Sequence, residues 1–195
     1  MLFVEAYKRR FDLPEDSIII DTTSRSGNWT RGLSPFIIEG GYLYDTFYAK
    51  SVENAWQASK VYSQFVDDKN DPTPEYFKWA NNIWKSSYVY RYPMGRDEKP
   101  LYSYWSGKKF DYVDARKNIY IPLYSRGVIK TTAFKRLLDI YRTTDKDIYL
   151  VDFDGYNHKK IGMSLAEVAN SPTKNMGHAF VVYDLLQRHK NDLKI

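Results

Sequence analysis

The chain contains no cysteine, so disulfides, thiolate zinc sites, iron–sulfur clusters and cysteine nucleophiles are excluded. That composition fits a reducing cytosol. Histidine is scarce: His158, His178 and His189 form no His-x-x-x-His pair, and metal binding is poorly supported. Lone histidines of this kind read as surface or hydrogen-bonded structural residues. No apolar run approaches the roughly 20 residues a membrane span needs. The opening MLFVEAYKRRFDLPED carries an acid at Glu5 and no small-residue cleavage site, so it is not read as a secretory signal. Gly-x-x-x-x-Gly-Lys-Ser/Thr and Gly-x-Gly-x-x-Gly are both missing, which excludes ATP and dinucleotide sites of those types. A Gly-x-Ser-x-Gly elbow is missing too, although spacing alone leaves a Ser–His–Asp triad open. Repeats, low-complexity tracts and Gly/Ser linkers are absent, and 195 residues fit a single domain.

What is present is cationic and aromatic. Lys and Arg total 29 against 24 acids, giving +5 and a pI near 9.1. Aromatic residues make up 17%, with 18 Tyr and 5 Trp. A cation-rich surface favours polyanionic partners, DNA or RNA among them, and exposed rings can stack on bases. The same tyrosines would equally serve a core and its rim.

Ser17 to Asp21 reads as a short buried strand, since three isoleucines are stiff at χ1. Thr22 to Ser34 reads as a polar loop, and Tyr42 to Tyr48 alternates weakly as a strand. Ser51 to Val66 reads as a helix with Ser51 as N-cap and Glu53 in its first turn. Val52, Ala55, Ser59, Tyr62 and Val66 would share its apolar side. Asp67 to Pro74 ends it, and Glu75 to Tyr88 forms a second helix. Arg91 to Lys109 is irregular and long for a structureless loop, which suggests binding or an unrecognised short element. Asp111 to Tyr120 and Thr132 to Tyr141 read as helices separated by a break at Pro122. Ile148 to Phe153 is a strand followed by an Asp154-Gly155 turn, and Met176 to Gln187 is a terminal helix. The fold class is therefore α+β, a single helix-rich domain around a small sheet.

Among groups able to carry chemistry, carboxylates stand out. Glu53, Gln57 and Lys60 would project in one stripe of the helix, which in most proteins is a solvated face. Asp152 and Asp154 would point to one side of an extended strand, although Asp154-Gly155 also suits a plain turn.

Leu33-Ser34-Pro35-Phe36 followed by Ser51-Val52-Glu53-Asn54-Ala55-Trp56-Gln57-Ala58-Ser59-Lys60 resembles the opening of the NADAR family. There a Ser-Asn-Phe-Tyr-like segment precedes a helix of the form Glu-His-x-x-Gln-Ala-x-Lys. The order continues through Asp114-Ala115-Arg116-Lys117, Phe134-Lys135-Arg136-Leu137-Leu138 with Thr143-Thr144, Tyr149-Leu150-Val151-Asp152, and Lys174-Asn175-Met176-Gly177. The resemblance spans about Leu33 to Leu186 and leaves residues 1–32 as an N-terminal extension. Asn54 replaces the family histidine, and Asp152 replaces a glutamate. Asp154-Gly155-Tyr156-Asn157-His158 stands where the family has Asp-x-x-Trp-Gly, so a stacking ring would come from Tyr156, Trp29 or Trp105.

The resemblance implies an NADAR-like fold and hydrolysis of an N-glycosidic bond in an ADP-ribose-like or ribosyl-phosphate conjugate, ADP-ribosylated nucleobases included. Breaking C1′–N develops oxocarbenium character, which a carboxylate stabilises while orienting water; Glu53 is the residue expected there. Asp152 or Asp154 would bind ribose hydroxyls or assist with the proton. Arg25, Arg31, Lys60 and Lys174 would hold phosphates, with amides near Asn175 adding donors. Ser34, Phe36, Asn54, Gln57 and Lys117 complete the implied binding set. No metal or redox cofactor is required. The departures at Asn54, Asp152 and the tryptophan position also suit a binding module that keeps the pocket without catalysis.

Overall fold

The computed structural model describes residues 1–8, 12–44 and 46–192. Fifteen elements are used below, in chain order. The first seven are β1 (Leu2–Ala6), β2 (Ile18–Asp21), β3 (Gly41–Leu43), β4 (Phe47–Ala49), α1 (Val52–Ala58), β5 (Lys60–Val61) and α2 (Pro74–Lys85). Then come β6 (Tyr102–Trp105), β7 (Lys108–Phe110), α3 (Tyr112–Ala115), α4 (Ile121–Val128) and α5 (Thr132–Thr143). The last are β8 (Ile148–Asp152), α6 (Leu165–Asn170) and α7 (His178–His189). The fold is α+β. Its chain divides into two compact units, Met1–Ile37 with Val128–Ile195, and Ile38–Gly127.

The first unit is organised by a parallel sheet in the order β1-β8-β2. β8 is the middle strand and is buried at all five residues, as the unbroken apolar run Ile-Tyr-Leu-Val demands of a strand covered on both faces. Register pairs Ala6 with Asp152 and Asp21 with Val151, so three carboxyl ends lie at one edge. Residues 1–32 thus contribute two of the three strands. α7 packs on β1 and β8, and α5 packs on α7, closing a core that includes Val4, Ile20, Leu150, Phe134 and Phe180. The loop after β2 contains a 3-10 turn at Trp29–Leu33, capped by the Asn28 side chain accepting from the Thr30 amide. Gly155 is required by a close approach: a Cβ there would lie 2.3 Å from the Glu5 carbonyl oxygen.

The second unit is built around α1. Ser51 caps it by accepting from the Asn54 amide at 3.1 Å, and only Trp56 within it reaches partial exposure. A helix buried on every side cannot have the solvated stripe a surface helix would. It is also shorter than the periodicity suggests. Ser59 Oγ donates to the Trp56 carbonyl at 2.7 Å, and Lys60 and Val61 then pair as β5 with Ser103 and Tyr102. Pairing with a distant strand wins over a pattern that locally continues to Val66. The irregular segment from Arg91 resolves in part into the β6–β7 hairpin, and Tyr42 to Tyr48 is a hairpin, β3–β4, rather than one strand.

Pro122 does not break its helix. Residues Arg116–Tyr120 form a π-helical turn between α3 and α4, and the helical path runs on through Ile121–Val128. The widened turn shifts the hydrogen-bond register just before the residue that lacks an amide hydrogen. At Pro74 the ring opens α2 at its first turn, where a missing donor is harmless.

Candidate functional site

In the Ile38–Gly127 unit, Glu53, Gln57 and Lys60 form one hydrogen-bonded chain. Gln57 Nε2 donates to Glu53 Oε1 at 2.8 Å, and Lys60 Nζ donates to Gln57 Oε1 at 2.8 Å. An ammonium only donates, so the amide oxygen must face Lys60 and the amide hydrogens must face Glu53. The amide orientation is therefore fixed by chemistry. Glu53 is 7% exposed and Gln57 is 6% exposed. Lys60 reaches the chain from the first residue of β5, not from a continuing helix, and its ammonium lies 5.2 Å from the Trp56 ring centroid. Burial lowers the Lys60 pKa, and the nearby Glu53 carboxylate opposes part of that shift. The site thus holds an acid and an amide away from bulk water, with a half-buried amine joined to them, between residues 53 and 60.

Asn54, next to Glu53, faces elsewhere. It is fully buried, its Nδ2 donates to the carbonyls of Ser86 (3.2 Å) and Tyr88 (2.9 Å), and its Oδ1 accepts from the Tyr90 amide at 2.9 Å. This one side chain fastens residues 86–90 to α1. Asn54→Ala leaves two carbonyls and an amide without partners, and each such loss costs about 1–3 kcal/mol. Chemical denaturation should show a markedly lower midpoint for the variant, and an unchanged midpoint would refute the fastening role. Lys117 is exposed and paired with Asp114 at 3.0 Å. Its neighbour Arg116 is the buried one, 2% exposed, with its guanidinium 4.6 Å from the Tyr112 ring centroid. Sequence spacing gave no means of choosing between these adjacent cations; the π turn decides which faces inward.

In the other unit, Asp152 and Asp154 part company. Asp152 is 4% exposed. Its Oδ2 lies 3.0 Å from His178 Nδ1 and accepts from the Ala179 amide at 3.2 Å. His178 Nε2 lies 2.8 Å from the Thr22 carbonyl oxygen. With an oxygen acceptor at each ring nitrogen, the imidazole is satisfied by a hydrogen on both, the charged form. Burial alone would raise the Asp152 pKa, but the charge and hydrogen bond of His178, with the Ala179 and Phe153 amides, outweigh it and lower the value. Gly177 makes the arrangement feasible, because a Cβ there would sit 2.1 Å from Asp152 Oδ2. His178 is a hydrogen-bonded structural histidine, and its pairing with Asp152 could not be read from residues 26 apart.

Asp154 lies beyond the strand end, exposed, accepting from Asn175 Nδ2 at 3.0 Å. Lys174 is exposed, with its ammonium 5.8 Å from the Tyr156 ring centroid. Arg25 is exposed and lies over the Phe153 ring at 5.1 Å. Trp29 is covered by the Arg136 guanidinium at 4.6 Å, whereas Arg31 is exposed. Ser34 is buried, its Oγ accepting from the amide of the half-buried Phe36 at 3.3 Å.

His158 is 3% exposed, its Nδ1 has no hydrogen-bond partner among the described residues, and its ring packs on Phe180 and Tyr183. Burial, helped by the Lys159 charge, lowers its pKa below 6.5. A histidine harder to protonate when folded contributes stability above its unfolded pKa and loses it as pH falls. The depressed carboxylate of Asp152 likewise contributes above its unfolded value, about 3.9, and loses its share as pH falls through the folded value. Stability measured by urea titration should therefore decline first below about pH 6.5 and again in strong acid. A His158→Gln variant should lack the first decline; its persistence would dismiss His158 as the cause.

Among the described residues no group of three or more His, Asp or Glu converges as a metal site. No helix among them is long and apolar enough to cross a membrane. These features define an α+β protein with an acid–amide–amine chain running from α1 to β5 in one unit and a buried Asp–His pair at the start of α7 in the other. The chain belongs to DUF6939, a family of unknown function, whose model matches residues 4–169. No curated protein and no solved structure matches it.

Proposed function

We propose that the protein is a cytosolic hydrolase that cleaves an N-glycosidic bond in an ADP-ribose-like or ribosyl-phosphate conjugate, including ADP-ribosyl groups on nucleobases, as the NADAR resemblance implies. The observation that carries this reading is the buried Glu53 carboxyl, oriented by Gln57 and backed by the Lys60 ammonium. Departure of the base leaves positive charge on C1′ and the ring oxygen. A carboxylate held in a site of low dielectric stabilises that charge far more than one in water, and can orient the attacking water. Glu53 fills this role; Gln57 fixes its rotamer; Lys60 offers a cation to a phosphate or hydroxyl of the substrate. The decisive experiment is incubation of the purified chain with a panel of ribosyl conjugates, including ADP-ribosylated DNA, with free ADP-ribose or ribose phosphate quantified by chromatography. Absence of product across the panel rejects the hydrolase.

A second reading, an ADP-ribose- or nucleotide-binding module without turnover, draws on Asn54 and Asp152. Both positions depart from the NADAR pattern, and both side chains are engaged in internal hydrogen bonds. Calorimetry showing tight ADP-ribose binding with no product on long incubation selects it.

A further inference from the structure

An aromatic surface at two hairpin tips in the Ile38–Gly127 unit is not used by the chemistry above. The Tyr44 ring, in the β3–β4 turn, lies 4.9 Å from Trp105 at the end of β6 and 6.0 Å from Trp84 at the end of α2. Phe47 lies 5.3 Å from Trp84. Tyr44 is 36% exposed and Phe47 is 38% exposed, while Trp84 beneath them is 3% exposed. The Trp84 Nε1 hydrogen finds no acceptor among the described residues. Both tips hold a non-glycine residue in the left-handed region, Tyr44 at φ +51 and Ser106 at φ +49. A bulky residue held there is an outlier, and such strain concentrates at ligand-binding positions. Burial pushes the Tyr44 hydroxyl up to about 12, with the Ser106 backbone opposing part of the shift, and the Tyr44–Trp105 ring contact joins the two tips.

Three lysines stand next to residues of this surface, one of them placed on its face by strand register. Lys108 pairs directly with Trp105 across the β6–β7 hairpin, which puts their side chains on one face. Lys85 follows Trp84, and the Lys50 amide donates to the Trp84 carbonyl at 3.0 Å. All three lysines are exposed, and none has an ion-pair partner among the described residues. Lys109, by contrast, is paired with Asp71 at 2.7 Å. Flat apolar faces beside an ammonium group that has no ion-pair partner among the described residues match a chain of bases and phosphates. A second copy of this protein would bring the same lysines against themselves in a two-fold contact.

We propose that the Tyr44–Phe47–Trp105 surface is a docking site for single-stranded nucleic acid, its rings stacking on bases and Lys108 meeting a flanking phosphate. The inference stands independently of the hydrolase reading. Strand register supplies an internal control: Tyr42 pairs with Tyr48, one residue out of phase with Phe47, so it projects from the opposite face of the hairpin.

The test is fluorescence anisotropy with a labelled mixed-sequence 20-nucleotide single-stranded DNA at several salt concentrations. The full chain should bind with an affinity that falls steeply as salt rises. Tyr44→Gly, which suits the positive φ while removing the ring, and Phe47→Ser should each weaken binding roughly tenfold. Lys108→Glu should weaken it and flatten the salt slope, whereas Tyr42→Ser should bind as the unaltered chain does. Absence of binding at low salt, or equal binding by Tyr44→Gly and Lys108→Glu, overturns the proposal. So does a dimer in sedimentation that Phe47→Ser dissociates, since the face would then belong to self-association.

Discussion

Glu53→Gln is expected to lower turnover of a ribosyl conjugate by about 10²–10⁴-fold, the range typical of removing a positioned acid–base group, while leaving the fold intact. A glutamine at 53 keeps the shape and can still accept through its own amide oxygen from Gln57, whose Nε2 donates at 2.8 Å in the parent. What disappears is the negative charge. That charge opposes the burial-driven lowering of the Lys60 pKa, so the variant's Lys60 should lose its proton more readily. The pH profile for modification of Lys60 should therefore move downward in Glu53→Gln, and this readout does not depend on knowing the substrate. Turnover within twofold of the parent, with an unmoved lysine profile, would dismiss Glu53 as the charge-stabilising group.

The second large effect concerns stability. Asp152→Ala removes the carboxylate that faces the His178 ring and the Ala179 amide, leaving a buried cation and a helix-start amide without their acceptor. Breaking a buried ion pair from one side costs about 3–5 kcal/mol, which for a chain of this size corresponds to roughly 6–20 °C in Tm. Gly177→Ala should be comparably harmful by a different route. Its Cβ would fall 2.1 Å from Asp152 Oδ2 and 2.7 Å from its Cγ, so the pair or the backbone must shift. Because both substitutions act on one contact, the double variant should lose less than the sum of the single losses. Calorimetric scans of the three variants test this, and strictly additive losses would show that Gly177 constrains something other than the Asp–His pair.

How far the chain could be read in advance differs by element. Strands β2 and β8 were legible because isoleucine and valine runs bounded by turn formers have few other uses. α5 and α7 were legible because apolar residues recur with helical spacing and each segment buries an apolar side. α1 was legible at its start, where Ser51 caps Asn54, and misread at its end. Nothing local tells residue 60 to leave the helix; the partner strand that claims it lies more than forty residues away at Ser103. The hairpins β3–β4 and β6–β7 were missed for a related reason. The β3–β4 turn holds Tyr44 at positive φ, a residue type that carries no turn signal there, whereas the β6–β7 turn is Ser106-Gly107, both at positive φ, a signal that was present but too short to mark two strands inside an irregular segment. Pro122 misled because proline normally interrupts a helix, and the π turn that accommodates it has no signature in the residues.

Residue types by themselves determined what chemistry is available: no thiol, few imidazoles, a cationic and aromatic composition, and a helical spacing that puts Glu53 and Gln57 within mutual reach. Those conclusions need only composition and covalent connectivity. Tertiary structure alone decided that Glu53 and Gln57 face the interior rather than water, that Asn54 holds backbone, and that Asp152 meets His178. The physical reason is that burial and pairing depend on what distant segments bring alongside. An acid on a helix has the same local geometry in either setting, and only the surrounding elements make one of them a low-dielectric site.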